Sequence, residues 1–385
     1  MNRVAIVGVG HSKFGDRRDV NLPELAFEAA KPAFEDANLT PKDVDFLSVG
    51  TAGGWYEEFL PAVVVSEYLG LSGKGLVRCE AACASGSAAV ATAYNTIASG
   101  QNDVAMAVGI EKMTEIDTLT AVELIGRAGY YTWEFHNFGM TFPGYYALHA
   151  TNHMKKFGTT EEQLAEVAVK NHKYGAMNPN AHLQRAIKID DVLSSRMVAW
   201  PLKLYDCCPM SDGAAALILA SEERAKSLTD SPVWIEAIGV SSDTANVSKR
   251  SGYAALQATV IASEKAFKKA NVGPDKFDVA DVHDCFTIAE ILAYEDLGFC
   301  KKGEGGKMID EGQTEIGGKI PVNVDGGLKA KGHPIGATGV SMIVGLTRQL
   351  RKQGGKTQAP IKNGLALAHN VGGTGHYCYV TVLRS

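Results

Sequence analysis

The 385-residue sequence contains no apolar run near the ~18–20 residues that cross a bilayer, which excludes a helical membrane protein. It also lacks an excess of positive charge. Lys and Arg number 38 against 43 Asp and Glu, a net charge of -5. That excludes a general nucleic-acid footprint. An anionic ligand has to be met locally, by a few cations or by helix N-termini. Seven cysteines include no C-x-x-C pair, so a structural zinc site is not expected. The odd number, in a chain too large to need staples, points to reduced thiols and a cytoplasmic protein. The opening "MNRVAIVGVG" is too short and too Gly-rich for a signal segment and reads directly into a strand. Gly8 and Gly10 begin a dinucleotide fingerprint, but Lys13 occupies the third glycine position, and no G-K-[ST] loop follows. NAD and ATP are therefore dropped, and no metal or redox cofactor is expected.

What is present is a repeat. "AFEDANLTPKDVDFLSV" (33–49) aligns without a gap on "AFKKANVGPDKFDVADV" (266–282), with seven identities that include Asn38/Asn271 and Pro41/Pro274. Each copy ends an amphipathic helix, turns at a proline and enters an apolar strand. A second echo links "CASGSAAVATAYNTIASG" (83–100) with "GATGVSMIVGLTRQLRKQGG" (336–355). The chain reads as two copies of one α/β unit. One half is expected at 1–111 plus 213–235, the other at 236–385, with an insertion at 112–212. The insertion carries eight aromatics between Tyr130 and Tyr146, suited to a ligand tunnel, an insertion core or a subunit interface.

Four stretches carry reactive groups. Cys83 lies where extended "LVRC" gives way to a small-residue helix, and a helix N-terminus favours a thiolate. Taken alone it reads more readily as a small buried residue of a tightly packed helix. His333 sits on the rigid loop "GHP", before a second small-residue helix start, and an imidazole suits a thiol proton near neutral pH. "VHDCF" places His283 and Cys285 two apart at a strand end, on one face of an extended segment, with Asp284 pointing the other way. "HNVGG" ends in Gly372 and Gly373, whose turn could aim backbone N–H groups at an oxyanion or simply join two strands.

Together, Cys83, His283-x-Cys285, His333 and Gly372-Gly373 resemble the thiolase superfamily along the whole chain. "HDCF" is similar to the subgroup of archaeal acetoacetyl-CoA thiolases and sterol-carrier-protein-linked thiolases. The resemblance implies a five-layered α/β/α/β/α fold of two duplicated halves with an inserted loop domain. It implies Cys83 as acyl-accepting nucleophile and His333 as its activator. His283 with His333 would form one oxyanion hole, Cys285 would be the acid/base, and the N–H groups of Cys83 and Gly372 would form a second hole. Many thiolases place the acid/base cysteine in a late C-x-G motif, where this chain has Asn370. The implied activity is reversible condensation of two acetyl-CoA to acetoacetyl-CoA. Alternatives are a thiolase for other acyl groups, a decarboxylating β-ketoacyl synthase, which needs no second cysteine, and a non-catalytic acyl-CoA-binding subunit. Coenzyme A enters as substrate, with Lys249 and Arg250 as candidate contacts. The expected partners are further copies of the chain, as a homodimer or homotetramer. A complex with an HMG-CoA synthase through an OB-fold scaffold protein is a further expectation.

Overall fold

The computed structural model describes residues 2–385. The first half runs β1 (Val4–His11), α1 (Leu22–Ala37), β2 (Phe46–Gly50), α2 (Pro61–Tyr68), β3 (Gly75–Cys79), α3 (Ser85–Ala98) and β4 (Val104–Glu111). The chain then leaves the sheet. It forms α4 (Thr118–Gly126), α5 (Phe142–Phe157), α6 (Glu161–Gly175), α7 (Ile189–Leu193) and a small ribbon of β5 (Met197–Ala199) and β6 (Leu202–Lys203). It re-enters as β7 (Gly213–Ser221), whose Gly213 pairs with Glu111 at the end of β4, and continues into α8 (Glu222–Leu228). The second half runs β8 (Val233–Ser242), α9 (Gln257–Ala270), β9 (Val279–Val282), α10 (Thr287–Asp296), α11 (Gly305–Asp310), α12 (Thr338–Leu350), β10 (Leu365–Gly372) and β11 (Tyr377–Arg384).

The strand order is β3-β2-β4-β7-β1-β8-β11-β10-β9, which reads nearly the same from either end. In the first half β2 and β4 are parallel, while β4–β7 and β7–β1 are antiparallel. In the second, β9 and β10 are parallel, while β10–β11 and β11–β8 are antiparallel. Where β3 flanks β2, a single parallel bridge of Val322 to Ala280 flanks β9. Within the sheet, β1 of the first half joins β8 of the second through two residue pairs, Ala5–Trp234 and Ile6–Val233.

Alternation sorts the strand residues into layers. Val4 and Ile6 face an inner core, while Ala5 and Val7 face an outer core with α1. Ala366 and Ala368 of β10 face the same inner core, while Leu365 and Leu367 face an outer core with α9. Helices α3 and α12 fill the space between, α12 touching β10 of its own half and β7 and β4 of the other. The result is the α/β/α/β/α stack. Among the described residues no helix is long and apolar enough to cross a membrane.

The duplication extends to backbone detail. Both α1 and α9 end in an asparagine in the left-handed region, Asn38 and Asn271, each with φ +51°. Gly10 is not part of a nucleotide loop. A β-carbon there would stand 1.9 Å from the Ala29 carbonyl oxygen of α1, and one on Gly239 would stand 2.0 Å from that of Ala262 in α9. These glycines let each outer helix lie directly on its strand. Gly10→Ala and Gly239→Ala should each cost about 1–3 kcal/mol or more by overpacking, read as a lowered urea midpoint. Near-equal losses are expected because the two sites are copies.

Candidate active site

Cys83 occupies a one-turn 3₁₀ helix (Ala82–Ala84) between β3 and α3. Ala82 takes φ +50°, a left-handed bend rare for a residue with a β-carbon, and bends of this kind gather at functional sites. Ser85 Oγ locks the bend, donating to the Ala82 carbonyl at 2.6 Å and accepting from the Ala81 N–H at 2.9 Å. The N–H groups of Gly373 and of Cys83 itself lie close enough to the Cys83 thiol to favour its thiolate. Gly372, the residue suggested by the C-x-G register, instead lies against the Ala81 carbonyl, and its own carbonyl accepts from the His376 N–H at 3.0 Å.

His283 and His333 come from opposite sides. β9 and β10 run parallel with Val282 beside His369, so His283 emerges next to Asn370. His333 follows a π-helical turn, Gly327–Lys331, and its Nδ1 lies 2.7 Å from Thr338 Oγ1. The two rings are nearly perpendicular, at 81°, with centroids 5.1 Å apart. One donor atom from each of Cys83, His283 and His333 lies within 4.8 Å of the other two. Asn370 joins this cluster: its Nδ2 lies 3.1 Å from the Cys83 carbonyl and 3.2 Å from His283 Nδ1. Asp284 points the other way, into protein, where it accepts from the N–H groups of Leu328 (2.7 Å) and Lys329 (3.1 Å) and from Asn171 Nδ2 (2.7 Å). Its carboxylate therefore ties the strand end that carries His283 to the turn that delivers His333.

Cys83, Cys285 and His333 open onto one cavity of about 960 Å³. Phe142, Trp55 and Met210 are among its apolar walls. Cys285 stands across from Cys208, which donates its N–H to the Cys285 carbonyl at 3.0 Å. The Tyr146 hydroxyl, which donates to the Gly373 carbonyl at 3.4 Å, lies close enough to the Cys285 thiol to lower its pKa. The Tyr146 ring stacks on Phe286 at 4.6 Å. Glu111, fully buried, accepts from Thr51 Oγ1, Ala52 N–H and Gly53 N–H at 2.8–3.1 Å, which fixes a segment of the cavity wall. Lys249 is exposed, and Arg250 bonds the Thr374 carbonyl behind the Gly-Gly turn. Neither lines the cavity, whereas Arg127 does. Of the aromatics in 130–146, Phe142 lines the cavity, Tyr145 and Tyr146 are core, and Tyr130, Trp133 and Phe138 are exposed.

Sequence reasoning missed four of these contacts. Thr338 lies five residues past His333 at a helix start, a spacing that could have been read. Asn370 was visible only as a missing cysteine. Cys208 and Tyr146 lie 77 and 139 residues before Cys285, with no local signal (285 − 208 and 285 − 146).

Burial dominates the electrostatics. It pushes the Cys83 thiol up to about 12, with Glu111 adding to the rise, against the pull of the Gly373 and Cys83 N–H groups. It pushes the His333 imidazole down to about 3 and His283 well below its ordinary value. Cys285 is likewise raised well above the usual thiol range, first by burial and then by neighbouring Cys208. The helix dipole expected to favour a thiolate is outweighed, and the free site rests as neutral thiols and neutral imidazoles. Alkylation of Cys83 by iodoacetamide should therefore accelerate with pH through about pH 9 without a plateau. A plateau beginning near neutrality would reveal a thiolate–imidazolium pair instead.

Comparison with known proteins identifies the family. The family model "Thiolase, N-terminal domain" matches residues 4–223, and "Thiolase C-terminal domain-like" matches residues 239–385. The chain is 42% identical to an "Acetyl-CoA acetyltransferase" of Methanothermobacter thermautotrophicus, covering 97% of each chain. It is 41% identical to an "Acetyl-CoA acetyltransferase" of Methanocaldococcus jannaschii, covering 100% of this chain and 99% of the relative. Among solved structures, the "Ltp2-ChsH2(DUF35) aldolase" superposes with a TM-score of 0.86 at 28% identity, over 100% of this chain and 98% of that one. Two domain matches that together take in nearly every residue, and relatives that align from end to end, show that this chain belongs to the thiolase family.

Proposed function

We propose that the protein is an acetyl-CoA C-acetyltransferase, which joins two acetyl-CoA into acetoacetyl-CoA and free CoA and cleaves acetoacetyl-CoA in reverse. The observation that carries this reading is a pair of cysteines, Cys83 and Cys285, on one cavity with His333. The relatives' names support the acetyl group as cargo. No cofactor is needed beyond the thioester substrate.

In synthesis, Cys83 gives its proton to His333 Nε2 and its sulfur attacks the first thioester carbonyl. The N–H groups of Cys83 and Gly373 receive the oxyanion. As the carbon–sulfur bond to CoA breaks, Cys285 protonates the leaving sulfur and becomes a thiolate. That thiolate then takes a proton from the methyl group of the second acetyl-CoA, and the carbanion attacks the acetyl group on Cys83. The released Cys83 sulfur recovers its proton from His333. Two further consequences follow from this sequence. Cys285 becomes basic only after the first half-reaction, so its high resting pKa is no obstacle. His333, once protonated, presents an N–H beside His283, and the two can hold the second thioester oxygen.

A decarboxylating synthase would use Cys83, His283 and His333 but leave Cys285 idle. The cytoplasm is the compartment that the reduced thiols favour. A homodimer or homotetramer, and a complex with an HMG-CoA synthase and an OB-fold scaffold, extend the proposal. The two-component name of the aldolase neighbour supports a multi-protein setting.

Thiolysis should be fastest with acetoacetyl-CoA across a chain-length series. Cys83→Ala should abolish the acyl-enzyme seen by mass spectrometry. Cys285→Ala should lower turnover by about 10²–10⁴. Full activity of Cys285→Ala, or malonyl-thioester decarboxylation without CoA-dependent cleavage, would remove the thiolase reading.

A further inference from the structure

We propose that Asn370 is a positioning residue that sets the tautomer of His283, so that its Nε2 carries a proton into the site while His333 Nε2 offers a lone pair. The inference rests on the reading of His283 as the oxygen-binding group of the second half-reaction.

The orientation of the Asn370 amide is fixed by chemistry. Its Nδ2 lies 3.1 Å from the Cys83 carbonyl oxygen, which can only accept, and its Oδ1 accepts from Ser87 Oγ at 2.8 Å. Turning the amide over would set two oxygens against each other. The NH₂ group therefore also faces His283 Nδ1, at 3.2 Å, and that nitrogen must accept. In a neutral imidazole the proton then sits on Nε2. His283 Nε2 is buried and has no partner among the described residues, so its N–H is held in reserve for an incoming oxygen.

The opposite logic governs His333. Thr338 Oγ1 donates to the Pro334 carbonyl at 3.0 Å, which leaves the hydroxyl oxygen as acceptor for His333 Nδ1–H at 2.7 Å. His333 Nε2, also buried and unpartnered, is thus the lone pair able to take the Cys83 proton. Two histidines of similar burial are given opposite tasks by an amide on one and a hydroxyl on the other. The three-atom cluster of Cys83, His283 and His333 has spacing that would suit a divalent ion. With its proton on Nε2, however, His283 has no lone pair to give a metal there.

Asn370 also holds the carbonyl of Cys83, so one side chain sets both the nucleophile's backbone and the donor histidine. Its removal has a distinguishable effect, because acetylation of Cys83 uses the N–H groups of Cys83 and Gly373 and not His283. Asn370→Asp keeps the shape but replaces the NH₂ with an acceptor, so His283 should move its proton to Nδ1.

The test measures the half-reactions separately in the intact protein. Exchange of labelled CoA into acetyl-CoA reports acetylation of Cys83, and acetoacetyl-CoA formation reports the carbon–carbon step. In Asn370→Asp the exchange should fall by about 10-fold through the lost contact to the Cys83 carbonyl, while the condensation should fall by a further factor of about 10²–10³, the usual loss for one oxyanion donor. Equal losses in both half-reactions, or none in either, would overturn the proposal. Nitrogen-15 NMR of labelled histidine in the unsubstituted protein gives a reading that needs no variant. The His283 ring, identified by its absence in His283→Asn, should show a protonated Nε2. A protonated Nδ1 would overturn the proposal even if Asn370→Asp does not fold. Failure of Cys83 to acetylate in the unsubstituted protein would instead count against the acetyltransferase reading, and the NMR result would still decide the tautomer.

Discussion

The geometry of the site depends on how closely two helix starts approach at the centre of the molecule. A β-carbon on Gly86 would stand 2.6 Å from the Gly336 carbonyl oxygen, and one on Gly339 would stand 2.3 Å from Ser87 Oγ. Around Gly86 the nearest atoms are all backbone, and around Gly339 they are the small polar tips of Ser87 and Asn370 and the Ser87 backbone nitrogen. Because α3 and α12 touch at their first turns, the residues just before them are brought together. Those residues are Cys83 on one half and His333 on the other. A single methyl group on either glycine would push Cys83 and His333 apart, and packing at this density leaves little room to absorb the shift.

A second constraint sits beneath the histidines. The buried Asp284 carboxylate holds the turn at Gly327–Lys331, and Asn171 reaches from Asp284 to Glu290. Glu290 in turn pairs with Lys170 at 2.8 Å, with both side chains almost wholly buried. Burial raises Asp284 to about 7, with Glu290 adding to the rise. The fold is symmetric, but this network ties the second half to α6 of the insertion. It makes one end of a duplicated sheet rigid enough to aim two imidazoles.

Much of this was legible in the sequence, and the limits have physical causes. The helix-turn-strand repeat was visible because Asn38 and Asn271, and Pro41 and Pro274, serve identical backbone turns at a constant spacing. Gly10 and Gly239 do the same work but escaped the alignment. The path from Gly10 to Ala29 is 19 residues, and that from Gly239 to Ala262 is 23 (29 − 10 and 262 − 239). The loop between strand and helix is four residues longer in the second copy. Cys83 and His333 were readable because each sits in a short motif with a local reason for its small neighbours. Asn370, Cys208, Tyr146 and Glu111 act across tens to hundreds of residues, and nothing beside them in the chain announces it. The protonation of Cys83 was misjudged for a related reason. A helix start is visible in sequence, while the burial that outweighs its dipole belongs to the folded whole.

That burial has a consequence for how the protein survives in its surroundings. Peroxides and other oxidants attack thiolates, and a thiol near 12 exposes only about one thiolate in 10⁵ at neutral pH. The resting protein thus keeps the Cys83 thiol chemically silent. A site built around two neighbouring cysteines gains durability in this way, because both rest as protonated thiols.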